Sequence, residues 1–474
     1  MIYTIKILLI CSLVILVAGC PPVQKYRPAP LAPAAMASSL RARTLHDPGL
    51  KRFLEQDLGH ELGVWPPKTW DLRDSTLAAF YFNPTLDVAR ARVEASQAAI
   101  VTAVARPNPT LSITPGIPSP YLLGIELAFP IETSGKRGYR AERARSLSEA
   151  ARYDLAGVAW VVRSSVRKSL LDYFLAVRAL DLLHSEERLR NAQVGLLEQR
   201  LAVGEIPRPE VDLARIGLAK THVAIKTAEG RIAETRAILA AAIGVPVAAL
   251  VGINFSWATL DHPPSADLLA PQRIRREAVL NRLDIRRGLE EYAAAESELQ
   301  LEIADQHPDF QIGPGYTYEE ANNFFTLALS KTLPIFNRNQ GPIAEAEAAR
   351  KEAAANFLAT QARVISESEA ALARYRSALK ELDEVEHSLA KLEARREQMA
   401  RHAVDYGESD RLALNGVMLE RSAISTARLD ALGRAQRALG DLEDAIQRPL
   451  EPGDIAPLTL ESPAMKATTK ESNR

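Results

Sequence analysis

Two long stretches of the chain carry apolar residues at helical spacing and contain no proline. They run from Gly138 to Gly204 and from Gly341 to Gly407. Each predicts one helix of about 66 residues, roughly 100 Å long. Helices of this length must pack side by side, because they exceed the usual helix of a compact domain. In the first stretch, steps of three and four residues predict a nearly straight packing stripe. The stripe comprises Leu155, Val158, Val162, Val166, Ser169, Tyr173, Val177 and Leu180.

Short segments with alternating apolar and polar residues precede each long stretch and predict pairs of β-strands. In the first pair, Thr110–Thr114 alternates, and Leu123 to Phe129 places Gly124, Glu126 and Ala128 on the face opposite its apolar residues. In the second pair the apolar positions are Phe310, Ile312, Tyr316, Phe325, Leu327 and Leu329. The alternation alone fits a half-buried soluble hairpin as well as it fits a membrane strand.

The order of these signals indicates that the chain is a duplication. Matched landmarks occur in the same order in both halves. They are Leu86-Asp87 and Leu283-Asp284, Asn108-Pro109 and His307-Pro308, Pro130-Ile131 and Pro334-Ile335, Gly138 and Gly341, and Gly204-Glu205 and Gly407-Glu408. Each copy is predicted to run helix, strand, strand, long helix, tight turn, helix. The fold class is therefore mainly α with a small β part.

These signals predict the boundaries within each copy. A helix over 75–106 should end before Pro107, because a residue that precedes proline disfavours the α region. Tight turns are predicted at 204–209 and 406–410, with helices resuming over about 209–243 and 409–447. The predicted segments are 1–19 signal peptide, 20–74 linker and equatorial segment, 75–244 first repeat, 245–271 inter-repeat equatorial segment, 272–448 second repeat and 449–474 disordered tail.

The first residues have the pattern of a lipoprotein export signal. Lys6 precedes an apolar run over 7–17, and Ala18-Gly19-Cys20 has the form of a lipobox. Cys20 is therefore the expected lipid-attachment residue; the alternative is a plain signal peptide with an incidental cysteine. Pro21 favours the outer membrane, because an Asp at this position commonly retains lipoproteins at the inner membrane.

The composition excludes several other classes of function. The net charge is −1 at pH 7, so no basic surface indicates a nucleic-acid partner. The eight histidines show no metal-ligand spacing, and neither a phosphate-binding loop nor a nucleophile elbow is present. We therefore expect no catalytic residues, no metal site and no cofactor.

Four strands in one chain cannot close a membrane barrel. The sequence has no apolar stretch of transmembrane-helix length after residue 20. Because open sheet edges are not tolerated in lipid, strands that cross the outer membrane must come from several chains. Three chains supply twelve strands, a number that encloses an aqueous lumen.

The junctions between strand and long helix resemble those of the TolC-like outer-membrane efflux proteins. Leu333-Pro-Ile-Phe-Asn-Arg-Asn-Gln-Gly341 is very similar to that family's junction, and Phe129-Pro-Ile-Glu-Thr-Ser-Gly-Lys-Arg-Gly138 looks like the junction of its heavy-metal efflux branch. Asn83-Pro84-Thr-Leu86 resembles the family's opening helix, and the two glycine-glutamate turns resemble its periplasmic tips. The resemblance runs from about residue 70 to 448.

This resemblance implies a homotrimer with a twelve-stranded β-barrel in the outer membrane, continued by an α-barrel in the periplasm. It implies two protein partners, a periplasmic adaptor and an inner-membrane pump, usually proton-driven. The expected cargo is heavy-metal cations, with drugs or other organic solutes as the alternative. A periplasmic adaptor lipoprotein is the competing class, but adaptors carry one helical hairpin, whereas two are predicted here.

The predicted site residues lie in the barrel and at the periplasmic tip. Glu126 is expected to face the lumen, opposite lipid-facing Leu123, Ile125, Leu127 and Phe129. The expected gate at the tip comprises Asp410, Glu408, Asp405, Glu205 and Glu210. Asp410 is the first candidate for a ring of charge around the pore, with Arg411 of a neighbouring chain as its partner; equally, Asp410 is a favoured N-cap residue for the following helix.

Overall fold

The computed structural model describes residues 25–116, 122–266 and 269–450. The predicted signal peptide with Cys20, and all but the first two residues of the predicted tail, lie outside these ranges. Residues 25–42 belong to a small unit that contains helix α1, Pro33–Arg41. The second unit begins at Arg43 and holds every element below.

The first repeat has the predicted order of elements. Helix α2 (Pro48–Leu58) and strand β1 (Thr69–Trp70) precede helices α3 (Leu72–Phe82) and α4 (Pro84–Val104). Strands β2 (Thr110–Gly116) and β3 (Leu122–Ile131) follow, and then helix α5 (Lys136–Ala202) and helix α6 (Arg208–Ile243). Helix α5 has 67 residues and is therefore ~100 Å long. The predicted stripe along α5 is buried or half-buried throughout, which confirms its role in packing.

The predicted helix over 75–106 is wrong in one respect, because the chain forms two helices there. Asn83 has an extended backbone with φ −73° and ψ 118°, and Pro84 opens the next helix. The Asn83 side chain accepts a hydrogen bond from the Thr85 N–H at 3.0 Å and donates to the Ala242 carbonyl at 3.0 Å. Asn83 therefore caps α4 and ties its start to the end of α6.

A short segment joins the repeats. It contains a 3₁₀ turn (Val247–Leu250), strand β4 (Asn254–Phe255) and helix α7 (Ala258–Asp261). Strand β4 pairs in parallel with β1, so the segment before the first repeat meets the segment between the repeats.

The second repeat has the same order of elements. Helices α8 (Pro271–Asn281) and α9 (Leu283–Ala304) correspond to α3 and α4, with Arg282 in the place of Asn83. Strands β5 (Phe310–Glu319) and β6 (Asn322–Lys331) follow. The long helical tract consists of α10 (Gln340–Asp383), a π-helical segment (Glu384–Leu389) and α11 (Ala390–Asp405), and helix α12 (Arg411–Ile446) returns. The tandem repeat is confirmed, and the π segment is the one departure from the predicted single α-helix.

Two apolar cores lie where the short helices pack on the long ones. In the first, aromatic and aliphatic residues of α2, α3, α5 and α6 meet around Trp70, Phe80 and Phe174. In the second, α8, α10 and α12 meet around Tyr375 and Leu439. Burial of each such side chain contributes ~1.5–3 kcal/mol, so these cores fix the relative positions of the helices. Among the described residues, no helix has the length and apolar character required to cross a membrane.

Candidate functional site

The four long strands form one antiparallel sheet in the order β2-β3-β5-β6. Residues directly opposite each other point to the same face of a sheet. Ile113, Ile125, Tyr316 and Phe325 form one such row and are all apolar or aromatic. Leu327 and Leu329 of β6 are 74% and 73% exposed on this face. The sheet therefore presents an apolar face that the described part of the chain does not cover.

Small and polar residues line most of the opposite face of the sheet, on which Leu122 and Phe324 also lie. Ser112, Glu126, Gly315 and Thr326 form one row of this face. A Cβ atom built at Gly313 would lie 2.4 Å from Oε1 of Glu126, so the glycine leaves room for the carboxylate. The structure therefore places Glu126 on the polar face and Ile125 on the apolar face, which agrees with the predicted alternation. That Glu126 faces a lumen stays a prediction.

A buried lysine joins the two repeats below the sheet. Lys136, the first residue of α5, is 5% exposed and lies 3.0 Å from Asp309 Oδ1 and 3.2 Å from Asp305 Oδ1. Burial acts to lower the pKa of Lys136, but the two carboxylates outweigh it and raise the pKa above its usual value. The Thr133 N–H also donates to Asp309 at 2.8 Å. The loop after β3 is thereby fixed to the turn before β5.

A buried ion-pair cluster joins the repeats again further along the helices. Glu443 of α12 accepts from Arg163 of α5 at 3.0 Å and lies 3.4 Å from Arg167, and all three side chains are at most 4% exposed. A groove with a volume of 830 Å³ lies beside this cluster, between α5, α10 and α12. Removal of one member of such a cluster is costly, because it leaves a buried charge without its partner.

The tight turns at the ends of the two helical hairpins have the same backbone conformation. Gly204 and Gly407 both adopt left-handed conformations, with φ +76° and +74°, which glycine permits without a steric cost. The five predicted gate residues lie at these turns, and all of them are exposed. The structure thus brings Glu205 and Glu210 to one turn, and Asp405, Glu408 and Asp410 to the other.

Arg200, which was not among the predicted residues, connects the two turns. It lies in the last turn of α5, forms an ion pair with Asp410 and is 3.8 Å from Glu205 Oε1. The structure therefore pairs Asp410 with Arg200 of the same chain. A pairing with Arg411 of a neighbouring chain stays a prediction. One sequence signal was available, since a basic residue in the last helical turn interacts favourably with the helix dipole.

Asp410 also caps helix α12. Its Oδ1 accepts a hydrogen bond from the Ala413 N–H at 2.7 Å. This backbone bond, together with the charge of Arg200, holds the pKa of Asp410 below its usual value. The capping role is confirmed; the role in a charged ring stays a prediction.

The two hairpins differ in the residues that are buried near their turns. Val194 and Leu197 of α5 and Val211 of α6 are buried near the first turn. In α11 the buried residues are Glu393 and Glu397. Glu397 accepts from Arg401 of its own helix and from Arg421 of α12. Burial acts to raise the pKa of Glu397, but the two guanidinium groups outweigh it and hold the pKa below its usual value.

Among the described residues, no group of three or more His, Cys, Asp or Glu side chains is arranged to hold a metal ion. The described chain therefore offers exposed acidic turns and a two-faced sheet, joined by very long helices.

The chain is similar in sequence to known efflux proteins. The family model described as outer membrane efflux protein matches residues 79–245, from α3 to the end of α6. The chain is 26% identical over 298 residues to the cobalt-zinc-cadmium resistance protein CzcC of Cupriavidus metallidurans, a match that covers 61% of this chain and 69% of CzcC. The first repeat of the chain thus matches the outer membrane efflux protein family. The resemblance found in its strand-to-helix junctions is thereby confirmed.

Solved structures share the fold of the chain over most of its length. The outer membrane protein VceC of Vibrio cholerae superimposes with a TM-score of 0.65 at 18% identity, covering 80% of this chain and 97% of VceC. The MtrE outer membrane channel of Neisseria gonorrhoeae, in its open state, gives a TM-score of 0.63 at 16% identity, covering 79% of this chain and 88% of MtrE. The efflux-protein fold predicted from the sequence is therefore confirmed.

Proposed function

We propose that this efflux protein is the outer-membrane channel of a tripartite export system and acts as a trimer. The observation that carries the proposal is the four-stranded sheet, which has one exposed apolar face and two unpaired edges and continues into helices ~100 Å long. An open sheet is not tolerated in lipid, whereas twelve strands from three copies close a barrel with a lumen. The long helices below the sheet continue this lumen into the periplasm.

The proposed cargo is heavy-metal cations. Its support is the similarity to CzcC, whose name states cobalt, zinc and cadmium resistance. The carboxylates at the two turns are consistent with a path for cations, since rings of Asp and Glu favour cations in pores. Drugs or other organic solutes are the alternative cargo, and the experiment below separates the two.

The proposed partners are a periplasmic adaptor and a proton-driven inner-membrane pump, with outer-membrane lipid around the barrel. We further propose that Cys20 carries lipid. The acyl chains then reinforce an anchorage that the barrel supplies by itself, because one acyl set adds little to twelve buried strands.

We also propose that the channel rests in a closed state, with its two acidic turns gathered at the narrow end. Within one chain, the Arg200–Asp410 ion pair supports this arrangement, because it joins the turn of the first hairpin to that of the second. Three copies around an axis bring these carboxylates close together. Opening then requires the turns to separate.

The function is tested in a strain that lacks this gene. Loss of the channel should increase sensitivity to zinc, cobalt and cadmium, and the wild-type gene should restore tolerance. The matched control is a chain with Ile125→Arg. Its charge lies on the apolar face of the sheet, so this variant should not restore tolerance. Increased sensitivity to hydrophobic drugs alone would reassign the cargo, and unchanged sensitivity to both classes would contradict an export function.

Assembly is tested separately on the purified protein. Native mass measurement in detergent should give three chains per particle. A stable monomer that retains its β-structure would contradict the trimer, because four strands would then suffice.

A further inference from the structure

The four long strands contain three charged residues, and the sheet separates them by sign. Glu126 of β3 and Glu319 of β5 are acidic, and Lys331 of β6 is basic. Lys331 lies opposite Phe310, in the row that continues to Ile131, and therefore belongs to the apolar face. Its ammonium lies 5.4 Å from the centre of the Phe310 ring. The paired residues of the polar face thus include two carboxylates and no basic side chain.

Glu126 rises from a surface of small residues in the middle of the polar face. Gly315 lies opposite Glu126, and a Cβ atom built at Gly313 would meet the carboxylate. The neighbouring row contains Gly124 and Thr317. The side chain of Glu126 is exposed, so its carboxylate projects beyond its neighbours into the space above this face.

Neither acidic side chain of the polar face is paired with a base. Among the described residues, no lysine, arginine or histidine forms an ion pair with Glu126 or Glu319. Glu319 is half-buried at the end of β5, next to the turn that leads to β6. Water weakens the field of each charge but does not change its sign. Each chain therefore contributes two unopposed negative charges to this face.

We propose that Glu126 and Glu319 make the lumen of the β-barrel selective for cations. The inference rests on the trimer proposed above, and it names the residues that select the charge of the cargo in the outer-membrane part of the channel. Three copies place six carboxylates around one axis, and the strands that surround this axis present no basic residue to it. Acidic side chains in such an arrangement favour cations and repel anions.

These carboxylates act through space and do not coordinate the ion. A barrel of twelve strands, with the usual strand spacing and tilt, has a radius of about 12 Å. Copies of Glu126 around such an axis lie too far apart to share one cation as ligands, because metal–oxygen bonds measure only ~2.0–2.6 Å. The residues therefore set the electrostatic potential of the lumen, and cations pass without being held.

An effect of this kind depends on the salt concentration and on the charge of the ion. The Debye length is ~30 Å at 0.01 M salt, ~10 Å at 0.1 M and ~3 Å at 1 M. The carboxylates therefore act across the whole lumen in dilute salt, and their effect is lost at 1 M. A divalent cation gains twice the electrostatic free energy of a monovalent cation at the same point. Divalent metal cations, the proposed cargo, are thus the ions that this surface attracts most.

The charge preference is measured with the full-length trimer in planar bilayers, under a gradient of potassium chloride. Glu126→Gln combined with Glu319→Gln should lower the permeability of potassium relative to chloride about two- to fivefold near 0.1 M salt. Glu126→Asp combined with Glu319→Asp retains both charges and should retain the preference. Lys331→Gln is the matched control, because it removes a charge from the opposite face of the same sheet. Every chain also carries Asp410→Asn, so that the turns contribute less, and equally, to each comparison.

A reporter cysteine measures the potential of the lumen independently of the turns. Thr326→Cys lies on the polar face, in the row of Glu126 but on strand β6. Two thiol reagents of equal size, one cationic and one anionic, are added from outside the cell. The ratio of the cationic to the anionic reaction rate should fall about two- to fivefold in the double glutamine variant near 0.1 M salt, and the difference should disappear at 1 M. The cysteines of the natural sequence, Cys11 and Cys20, both precede residue 25.

The two measurements decide the assignment together. A fall of both ratios in the double glutamine variant, with the aspartate pair and Lys331→Gln unchanged, would support it. An unaltered ratio in either measurement, or protection of Thr326→Cys from both reagents, would overturn it and leave the channel function intact. Each single glutamine variant should give a smaller fall, so the test remains decisive even if the double variant inserts poorly. A monomer by native mass would instead contradict the proposed function.

Discussion

At the scale of single residues, the arrangement at the hairpin turns combines a structural and an electrostatic role in one carboxylate. Asp410 caps helix α12 through Oδ1 and pairs with Arg200 through Oδ2. An asparagine retains the cap, because Asn is as good an N-cap residue as Asp. The charge is thus separable from the cap by a single substitution.

The first prediction uses this separation. Asp410→Asn should leave folding unchanged but weaken the block of the channel by multivalent cations about two- to fivefold, as expected for the loss of an exposed charge. Arg200→Gln should strengthen the block, since it removes the positive partner of the carboxylate. Conductance in planar bilayers measures both. An unaltered block in both variants would leave Asp410 with a capping role alone.

A second residue-scale feature concerns Asp74 in the first turn of α3. Burial and the nearby charge of Asp71 raise the pKa of Asp74 to about 6. The folded protein then binds a proton that the unfolded chain releases at its usual, lower pKa. Stability contributed by the protonated carboxyl is therefore lost as the pH rises from about 4 to about 6.

The second prediction follows from this loss of stability with rising pH. Asp74→Asn should raise the free energy of unfolding at pH 7.5, by less than ~3 kcal/mol, and should have little effect at pH 4. Thermal unfolding followed by circular dichroism at the two pH values measures it. Asp71→Asn is an unsuitable control, because the charge of Asp71 contributes to the raised pKa of Asp74. Glu94→Gln on the exposed surface of α4 serves instead. Equal changes in unfolding temperature at both pH values would contradict the raised pKa of Asp74.

At the scale of elements, the four-stranded sheet has two faces that differ in polarity. The row through Ile125 is apolar, whereas the row through Glu126 contains serine, glycine and threonine. The long helices differ in a comparable way, because buried apolar residues lie near the turn of the first hairpin, whereas the carboxylates Glu393 and Glu397 are buried near that of the second. The alternation of apolar and polar residues thus specifies the strands. The side chains buried between paired helices specify the hairpins.

The third prediction tests the faces of the sheet. Ile125→Arg should reduce insertion into the outer membrane, with a cost of ~2–4 kcal/mol for a charge facing lipid near the midplane. Glu126→Arg places the same side chain at the next residue, which lies on the polar face, so this variant should insert normally. Heat-modifiable mobility and outer-membrane fractionation report insertion. Normal insertion of the first variant and loss of the second would mean that the faces are assigned in reverse.

At the scale of the whole chain, the two repeats are joined by polar contacts at several levels. Lys136 meets Asp309 below the sheet, and Arg163 and Arg167 meet Glu443 further along. Arg287 of α9 lies 2.8 Å from Asp154 of α5, and Arg437 of α12 lies 3.0 Å from Asp172 of α5. These contacts hold the second repeat beside the first, so that the strands of both form one sheet.

The fourth prediction concerns attachment to the membrane. Cys20→Ser should abolish labelling with a palmitate analogue, yet the protein should remain in the outer membrane, because the barrel supplies the main anchorage. Metabolic labelling and membrane fractionation measure the two effects. Complete release of the variant from the outer membrane would instead make the lipid the principal anchor.

The sequence by itself determined the repeat, the long helices, the strands and their faces. Proline and glycine mark boundaries locally, and periods of two and of three to four residues need no knowledge of distant parts. The break at Asn83 was also readable in principle, because Asn-Pro favours the opening of a helix. These features depend on neighbours along the chain, which the sequence shows directly.

Only the tertiary structure decided which charges meet. Arg200 and Asp410 lie on different hairpins, as do Glu443 and the arginines of α5. The chain contains 58 lysines and arginines and 59 acidic residues, so sequence order cannot select the pairs. Packing of the helices selects them, because two side chains interact strongly only when the fold brings them within a few ångströms of each other.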